Sequence, residues 1–69
     1  MVELIDTTSV MEALGGTDAV AKLTGRKYSA AFNWRSFDTF PPDTFLVLTR
    51  ALERAGHTAP PSLWRMVDA

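Results

Sequence analysis

The chain has 69 residues, 46% of them hydrophobic, with a formal net charge of −1, no cysteine and one histidine. A chain of this length folds as one domain, here residues 1–69, and offers little room for a deep catalytic cleft. It lacks the side chains for a disulfide framework or a zinc site, so we expect no metal and no cofactor.

The first helix is predicted over residues 8–14. No strand-like alternation of useful length is present, so we expect an all-α fold of short helices joined by tight turns. Ser9 and Glu12 have the spacing of a capping box at the start of this helix. The glycines at positions 15 and 16 can adopt the positive φ with which a helix ends.

The second and third helices are separated by a glycine. The second is predicted to begin after Thr17, a favourable N-cap, and to end at Gly25. The third is predicted over residues 28–36. Ala21, in the middle of the second helix, is small enough to let the third helix cross it closely. Residues 17–36 are therefore predicted to form helix, glycine turn and helix.

The fourth helix is predicted over residues 42–55, because a proline suits the first helical turn and Gly56 ends the pattern. Two adjacent prolines then interrupt residues 59–67. This tail is expected to form an extended hook that ends in one helical turn. Leu63 and Trp64 in the hook are predicted to lie against the core.

Several short pieces of the chain carry a family resemblance. They are Gly-Gly at 15–16, Val-Ala at 20–21, Gly at 25, Ser-Ala at 29–30 and Asn-Trp-Arg at 33–35. In this order they resemble the Cro-like repressors, especially the small prophage-type regulators of bacteria and phages. The resemblance covers about residues 10–66. It implies a compact four- to five-helix domain of the phage-repressor (Cro-like) type, in which residues 17–36 are a DNA-binding helix-turn-helix.

Three residues depart from this family pattern. Thr24 stands where a larger apolar residue is usual, and Ala31 stands where Val or Ile is usual. Both changes are expected to weaken the packing between the second and third helices slightly. Phe32 replaces what is more often a small polar residue, and this departure affects the expected base preference more than the fold.

One side of the third helix is predicted to face the major groove of DNA. At about 100° per residue, Ala30, Ala31 and Trp34 share the core side. The opposite side holds the predicted base contacts, which are Tyr28, Ser29, Phe32, Asn33 and Ser36. Asn33 can hydrogen-bond adenine, and Phe32 can cover a thymine methyl group.

The basic residues are concentrated around the same two helices. No acidic residue lies between positions 19 and 37, so this segment is positive within a weakly acidic chain. The residues predicted to contact phosphate, which sets register without reading sequence, are Thr17, Lys22, Arg26, Lys27 and Arg35. An ordinary solvated surface is the alternative for these basic residues.

The fourth helix has apolar residues on two sides. Its core face is predicted to contain Phe45, Leu48, Ala51, Leu52 and Ala55. Leu46 and Val47 point away from that face, and we interpret them as a candidate dimer surface. The alternative is that they are isolated exposed residues of a monomer.

These patterns predict a sequence-specific transcription regulator, a repressor, that binds a pseudo-palindromic operator in double-stranded DNA as a homodimer. No catalytic constellation or phosphate-binding loop is evident, so neither an enzyme nor a small-molecule ligand is expected. The alternative is a protein-interaction module, such as an antirepressor or antitoxin-like adaptor, that binds through Phe32, Phe37 and Phe40. A separate alternative concerns Phe32 alone, which folds under toward Phe37 and Phe40 and then does not contact DNA.

The ends of the chain and its hydropathy bear on location. Residues 1–6 are acidic where a signal peptide is basic, and no apolar run approaches the roughly 20 residues of a membrane span. We expect a soluble cytoplasmic protein that associates with the nucleoid through DNA and does not contact membranes. Met1 and the family-like ending at Met66 favour a small complete protein over part of a longer one.

Overall fold

A computed structural model describes residues 2–66 of the chain, and this part is mostly helical. Four α-helices, two 3₁₀ turns and two very short strands occur in it. In chain order these are β1 Val2–Glu3, α1 Thr7–Ala13, α2 Thr17–Thr24, α3 Tyr28–Phe37, the 3₁₀ turn Pro42–Thr44, α4 Phe45–Arg54, β2 His57–Thr58 and the 3₁₀ turn Pro61–Trp64.

The start of α1 is capped by an aspartate. Asp6 Oδ1 accepts a hydrogen bond from the backbone N–H of Ser9 at 2.7 Å. The same bond holds the pKa of Asp6 below its ordinary value, because it stabilises the charged carboxylate. The predicted capping box of Ser9 and Glu12 is therefore wrong. The cap lies three residues before Ser9, and the helix begins at Thr7.

The start of α1 is also fastened to the end of α3. The hydroxyl of Thr7 lies 3.1 Å from the carbonyl oxygen of Trp34 and 3.1 Å from Asp38 Oδ1. The backbone N–H of Thr7 donates to the same Asp38 oxygen at 3.0 Å. Asp38 ends α3 in the left-handed conformation, with φ +52°, and these bonds hold a non-glycine residue there.

α2 begins one residue earlier than predicted. Gly16, with φ +102°, occupies the N-cap, and Thr17 is the first helical residue rather than the cap. Thr17 is buried, and its side chain makes no capping hydrogen bond at the start of α2. α2 ends at Gly25 and α3 begins at Tyr28, as the sequence predicts.

The predicted fourth helix is divided in two. Its first turn is the 3₁₀ turn Pro42–Thr44, in which the Thr44 hydroxyl donates to the carbonyl of Pro41 at 2.8 Å. α4 then supplies Leu48 and Leu52 to the core. Ala55 was predicted to be a core residue and is exposed, because it is the C-cap, where the helical face ends.

The two strands form a parallel bridge that the sequence analysis did not predict. Val2 pairs with His57, and Glu3 pairs with Thr58. The backbone N–H of Leu4 extends the ladder by donating to the carbonyl of Thr58 at 2.7 Å. Two residues are too few to produce a period of two in the sequence. The bridge ties the segment before α1 to the segment after α4.

The core is built around a series of aromatic rings. Phe40 stacks on Trp64 with ring centroids 5.0 Å apart, and Trp34 meets Phe40 edge to face at 6.0 Å. Phe45 meets Trp64 edge to face, with ring centroids 5.2 Å apart. Leu63 and Trp64 lie buried in the core, where the sequence analysis placed them. Residue 67, the last of the predicted hook, lies outside the described residues.

The aromatic core generates a stability prediction. Trp34→Ala is expected to lower the free energy of unfolding by about 3–5 kcal/mol, because it removes a large buried ring from the contact with Phe40. The measurement is urea unfolding followed by circular dichroism. Phe37→Ala is the control, since Phe37 is 73% exposed and its removal is expected to change stability by less than about 0.5 kcal/mol. Equal stability losses in the two variants would contradict this account of the core.

Candidate nucleic-acid interface

α2 and α3 pack directly against each other across a tight turn. The two helices are in contact, and Ala21 of α2 and Ala31 and Trp34 of α3 belong to the same buried core cluster. Gly25 adopts the left-handed conformation with φ +68°, and the N–H of Arg26 donates to the carbonyl of Ala21 at 3.0 Å. The small side chains and the glycine turn together set the orientation of α3 relative to α2.

The hydroxyl of Thr24 has a hydrogen-bond partner within α2. It donates to the carbonyl of Val20 at 2.9 Å, one turn earlier in α2. The half-buried hydroxyl therefore carries little desolvation penalty. A threonine at this position is thus compatible with close packing of α2 and α3.

The outer face of α3 is exposed along its whole length. The side chains on it are Tyr28, Ser29, Phe32, Asn33 and Ser36. Ala31 and Trp34 on the opposite side are buried and Ala30 is half-buried, so the helical wheel is oriented as predicted. The five predicted base-contacting residues therefore share one solvent-facing surface, which we call the outer face of α3.

Two aromatic rings form a pair on this outer face. Tyr28 is 56% exposed and Phe32 is 50% exposed. Their ring centroids lie 6.4 Å apart with an interplanar angle of 24°, as expected for residues one helical turn apart. Phe32 does not fold under toward Phe37 and Phe40, because Phe37 is itself exposed and Phe40 is enclosed in the core.

The predicted phosphate-contacting residues have different surroundings. Lys22 Nζ lies 3.4 Å from Asp18 Oδ2, one turn away on α2, and both side chains are well exposed. An exposed pair of this kind contributes only about 0–1 kcal/mol, so Lys22 can exchange its partner readily. For Lys27, which precedes α3, residues 2–66 include no acidic side chain within ion-pair distance.

The two arginines are held against neighbouring groups. Arg26 forms an ion pair with Asp43 in the 3₁₀ turn Pro42–Thr44. Arg35 donates from a guanidinium nitrogen to the hydroxyl of Thr17 at 3.2 Å, which connects α3 to the start of α2. Thr17 is thus a buried hydrogen-bond partner of Arg35, and little of it is available to a ligand.

Asp43 is the residue that sequence reasoning missed at this surface. It follows Pro42 and lies 17 positions after Arg26, a separation at which no local spacing rule applies. Its carboxylate places one negative charge at the edge of a segment with no acidic residue of its own. The positive charge of the surface is therefore weaker than the sequence window alone suggests.

A second feature beside α3 is an open groove of about 440 Å³. Its walls are mainly apolar and include Phe37, Phe40, Pro41 and Pro42. Asn33 lines the same groove and also belongs to the outer face of α3. The groove and the outer face are therefore continuous along α3.

The predicted dimer residues lie on α4, on its exposed side. Leu46 is 61% exposed, and Val47 is also exposed. Leu46 lines a groove of about 450 Å³ together with Arg50 and Glu53, which carry opposite charges. Both apolar side chains are accessible to another molecule.

Comparison with protein-family models, with curated proteins and with solved structures finds no match for this chain. Within residues 2–66, no helix is both long and apolar enough to cross a membrane. The same part of the chain contains no group of three or more His, Asp or Glu side chains that could hold a metal ion.

The turn between α2 and α3 generates a prediction. Gly25→Ala is expected to lower the free energy of unfolding by about 1–2 kcal/mol, because a left-handed backbone is strained for alanine. A Cβ at this position meets no atom within 4 Å, so the loss comes from the backbone alone. Gly25→Asn is expected to lower the free energy of unfolding by a smaller amount, since asparagine tolerates this conformation better than alanine. Chemical denaturation measures the free energy of unfolding of both variants.

Gly56 provides a matched control for Gly25. It has φ +82° and equally open surroundings, but it lies after α4 and away from the turn. Gly56→Ala is expected to lose a similar amount of stability. An alanine at position 25 that is as stable as glycine would show that the turn is not left-handed in solution.

Proposed function

We propose that this chain is a sequence-specific DNA-binding protein of the phage-repressor helix-turn-helix type, which reads double-stranded DNA with α3 and represses transcription. The observation that carries the proposal is the orientation of α3. Ala31 and Trp34 on its inner side are buried in the core, while its outer face presents amide, hydroxyl and aromatic groups to solvent. A recognition helix requires one side that is packed against its own domain and an opposite side that is accessible to DNA.

The outer face of α3 has the dimensions and chemistry for the major groove. Its 10 residues give a helix roughly 15 Å long, and the groove is about 12 Å wide and admits one helix. Asn33 carries the donor and acceptor that pair with the N7 and N6 edge of adenine. Ser29 and Ser36 can hydrogen-bond bases or phosphates, and Tyr28 and Phe32 supply apolar contact.

Phosphate contacts in this proposal come from a few well-placed cations. Lys27 is the N-cap of α3, directly before the outer face, and Lys22 lies in the last turn of α2, the helix before it. Arg26 and Arg35 can contribute once DNA competes with their present partners, Asp43 and Thr17. With a net charge of −1, the chain depends on this local arrangement for its attraction to DNA.

The proposal includes a homodimer. A single short helix reads few base pairs, and two copies on a two-fold axis combine their contacts on half-sites about 34 Å apart. The exposed Leu46 and Val47 on α4 are the apolar residues that a self-association surface requires. A pseudo-palindromic operator follows from the same symmetry.

A protein-interaction module is the second candidate function. The groove beside Phe37 favours it, because an exposed phenylalanine next to apolar walls is typical of a protein-binding surface. Phe40 cannot take part as a surface residue, since it is buried under Trp34 and Trp64. Genome-wide immunoprecipitation separates the two functions. Sharp peaks that share an inverted repeat support DNA binding, and a flat profile with one stable protein partner supports the module.

Base reading and phosphate contact are expected to separate by mutation. Asn33→Ala and Ser29→Ala are expected to remove about 1–3 kcal/mol of discrimination between the preferred duplex and a mismatched one. Their helical circular dichroism and melting temperature should equal those of the wild type, because both side chains are exposed. The preferred duplex is first selected from a random library, and affinities are then measured by fluorescence anisotropy.

Lys27→Ala is the matched contrast in that experiment. It is expected to weaken binding to all duplexes about equally and to reduce the dependence of affinity on salt by about two units for a dimer. Asn33→Ala should leave the salt dependence unchanged. If neither Asn33→Ala nor Ser29→Ala alters the ranking of duplexes, the outer face of α3 does not read bases.

The dimer generates a separate prediction. The wild-type protein is expected to bind the full palindrome as two chains per duplex and an isolated half-site poorly. Affinity should fall steeply with salt, because roughly six to eight phosphates are contacted by the two subunits together. Light scattering gives the stoichiometry. Tight one-to-one binding to a half-site would rule out the dimer mechanism.

A further inference from the structure

The geometry points to a site for thymine methyl groups, formed by the aromatic pair Tyr28 and Phe32 on the outer face of α3. This inference rests on the proposed function and names the chemical group that the pair recognises. Both rings are at least half exposed, and they lie side by side rather than against the core. They therefore offer a continuous apolar area at the amino-terminal half of α3.

The neighbours of the pair have the chemistry that a DNA partner requires. Ser29, Asn33 and Ser36 lie on the same face, so hydrogen-bonding groups surround the rings, which matches the mixture of polar edges and methyl groups in the major groove. Lys27 precedes the pair directly, and no acidic residue lies between positions 19 and 37. The apolar rings thus lie among polar groups and next to Lys27, on a surface whose positive charge Asp43 partly neutralises at its edge.

Only one apolar group is available to such rings in the major groove. The edges of adenine, guanine and cytosine present hydrogen-bond donors and acceptors there, whereas thymine presents a C5-methyl group. A ring placed against a polar base edge would desolvate that edge without replacing its hydrogen bonds. Tyr28 and Phe32 therefore favour sites with thymines below them.

The distance between the rings limits where those thymines lie. The ring centroids are 6.4 Å apart, and base pairs rise by roughly 3.4 Å per step, so the pair spans at most about two steps, which it reaches when the line between the rings runs along the DNA axis. Two methyl groups within three consecutive base pairs fit this span. The expected half-site therefore contains two thymines in close succession, with Asn33 contacting bases farther along α3.

Uracil substitution tests this inference without altering Watson–Crick pairing. The preferred duplex is selected from a random library with the wild-type protein, and each thymine in one half-site is then replaced by deoxyuridine. Removal of one contacted methyl group is expected to weaken binding about fourfold, as for the loss of one buried methyl contact. Dissociation constants are measured by fluorescence anisotropy at constant salt.

Protein variants assign each methyl group to a ring. Phe32→Ala is expected to abolish the difference between thymine and uracil at one position, and Tyr28→Ser at a second position within two steps of the first. Tyr28→Phe keeps the ring and should retain the full difference. Phe37→Ala is the matched control, because it removes an exposed ring of α3 outside the pair and should also retain the difference.

The outcomes distinguish this inference from the proposed function. A selected site that contains no thymine, or that binds equally well with uracil at every position, overturns methyl recognition but leaves sequence-specific DNA binding in place. A uracil effect that persists unchanged in both Phe32→Ala and Tyr28→Ser also overturns it. If selection enriches no sequence at all, the proposed function itself fails.

Discussion

The contact of Trp34 with Phe40, and of Phe40 with Trp64, is the interaction on which the rest of the molecule depends. It joins α3, the segment before α4 and the carboxyl-terminal 3₁₀ turn in a single set of stacked and edge-to-face rings. In a domain this small, a few large aromatic side chains supply much of the apolar area that can be buried. Because Trp34 is fixed inside, the opposite side of α3 has to face solvent. The exposure of Asn33 and Phe32 is thus a consequence of core packing.

The positive charge around the outer face of α3 is partly neutralised. The chain as a whole is slightly acidic, and Asp43 pairs with one of the arginines that flank α3. A protein with this balance has little general attraction for polyanions, because the positive charge is local and partly neutralised. In the proposed function, discrimination between DNA sequences then depends on short-range contacts of the outer face of α3. Binding to a duplex without regard to its sequence is expected to be weak.

Much of the helical organisation could be predicted from the sequence, because it depends on local signals. Gly25 marks the end of α2, and the spacing of Ala31 and Trp34 gives the orientation of α3. The predictions that are wrong or missing are of two kinds. Some concern contacts between residues far apart in the chain, and one concerns a choice between two residues that suit the same capping position equally well. Asp6 and Ser9 are both good caps, and only the packed structure decides between them. The pairing of Arg26 with Asp43 and the parallel bridge have no periodic signature, so the free and neutralised cations of the candidate site could not be told apart.

The parallel bridge between β1 and β2 has a kinetic consequence. Val2 and His57 are about 55 residues apart, so their pairing closes a loop that contains all four helices of the described chain. Closing so long a loop costs more entropy than forming the short-range helix contacts, and only a few backbone hydrogen bonds offset it. We therefore expect the bridge to form late in folding and to open before the helices separate. The N–H of Leu4 donates to Thr58 across this bridge, so its hydrogen exchange is expected to report the local opening rather than global unfolding.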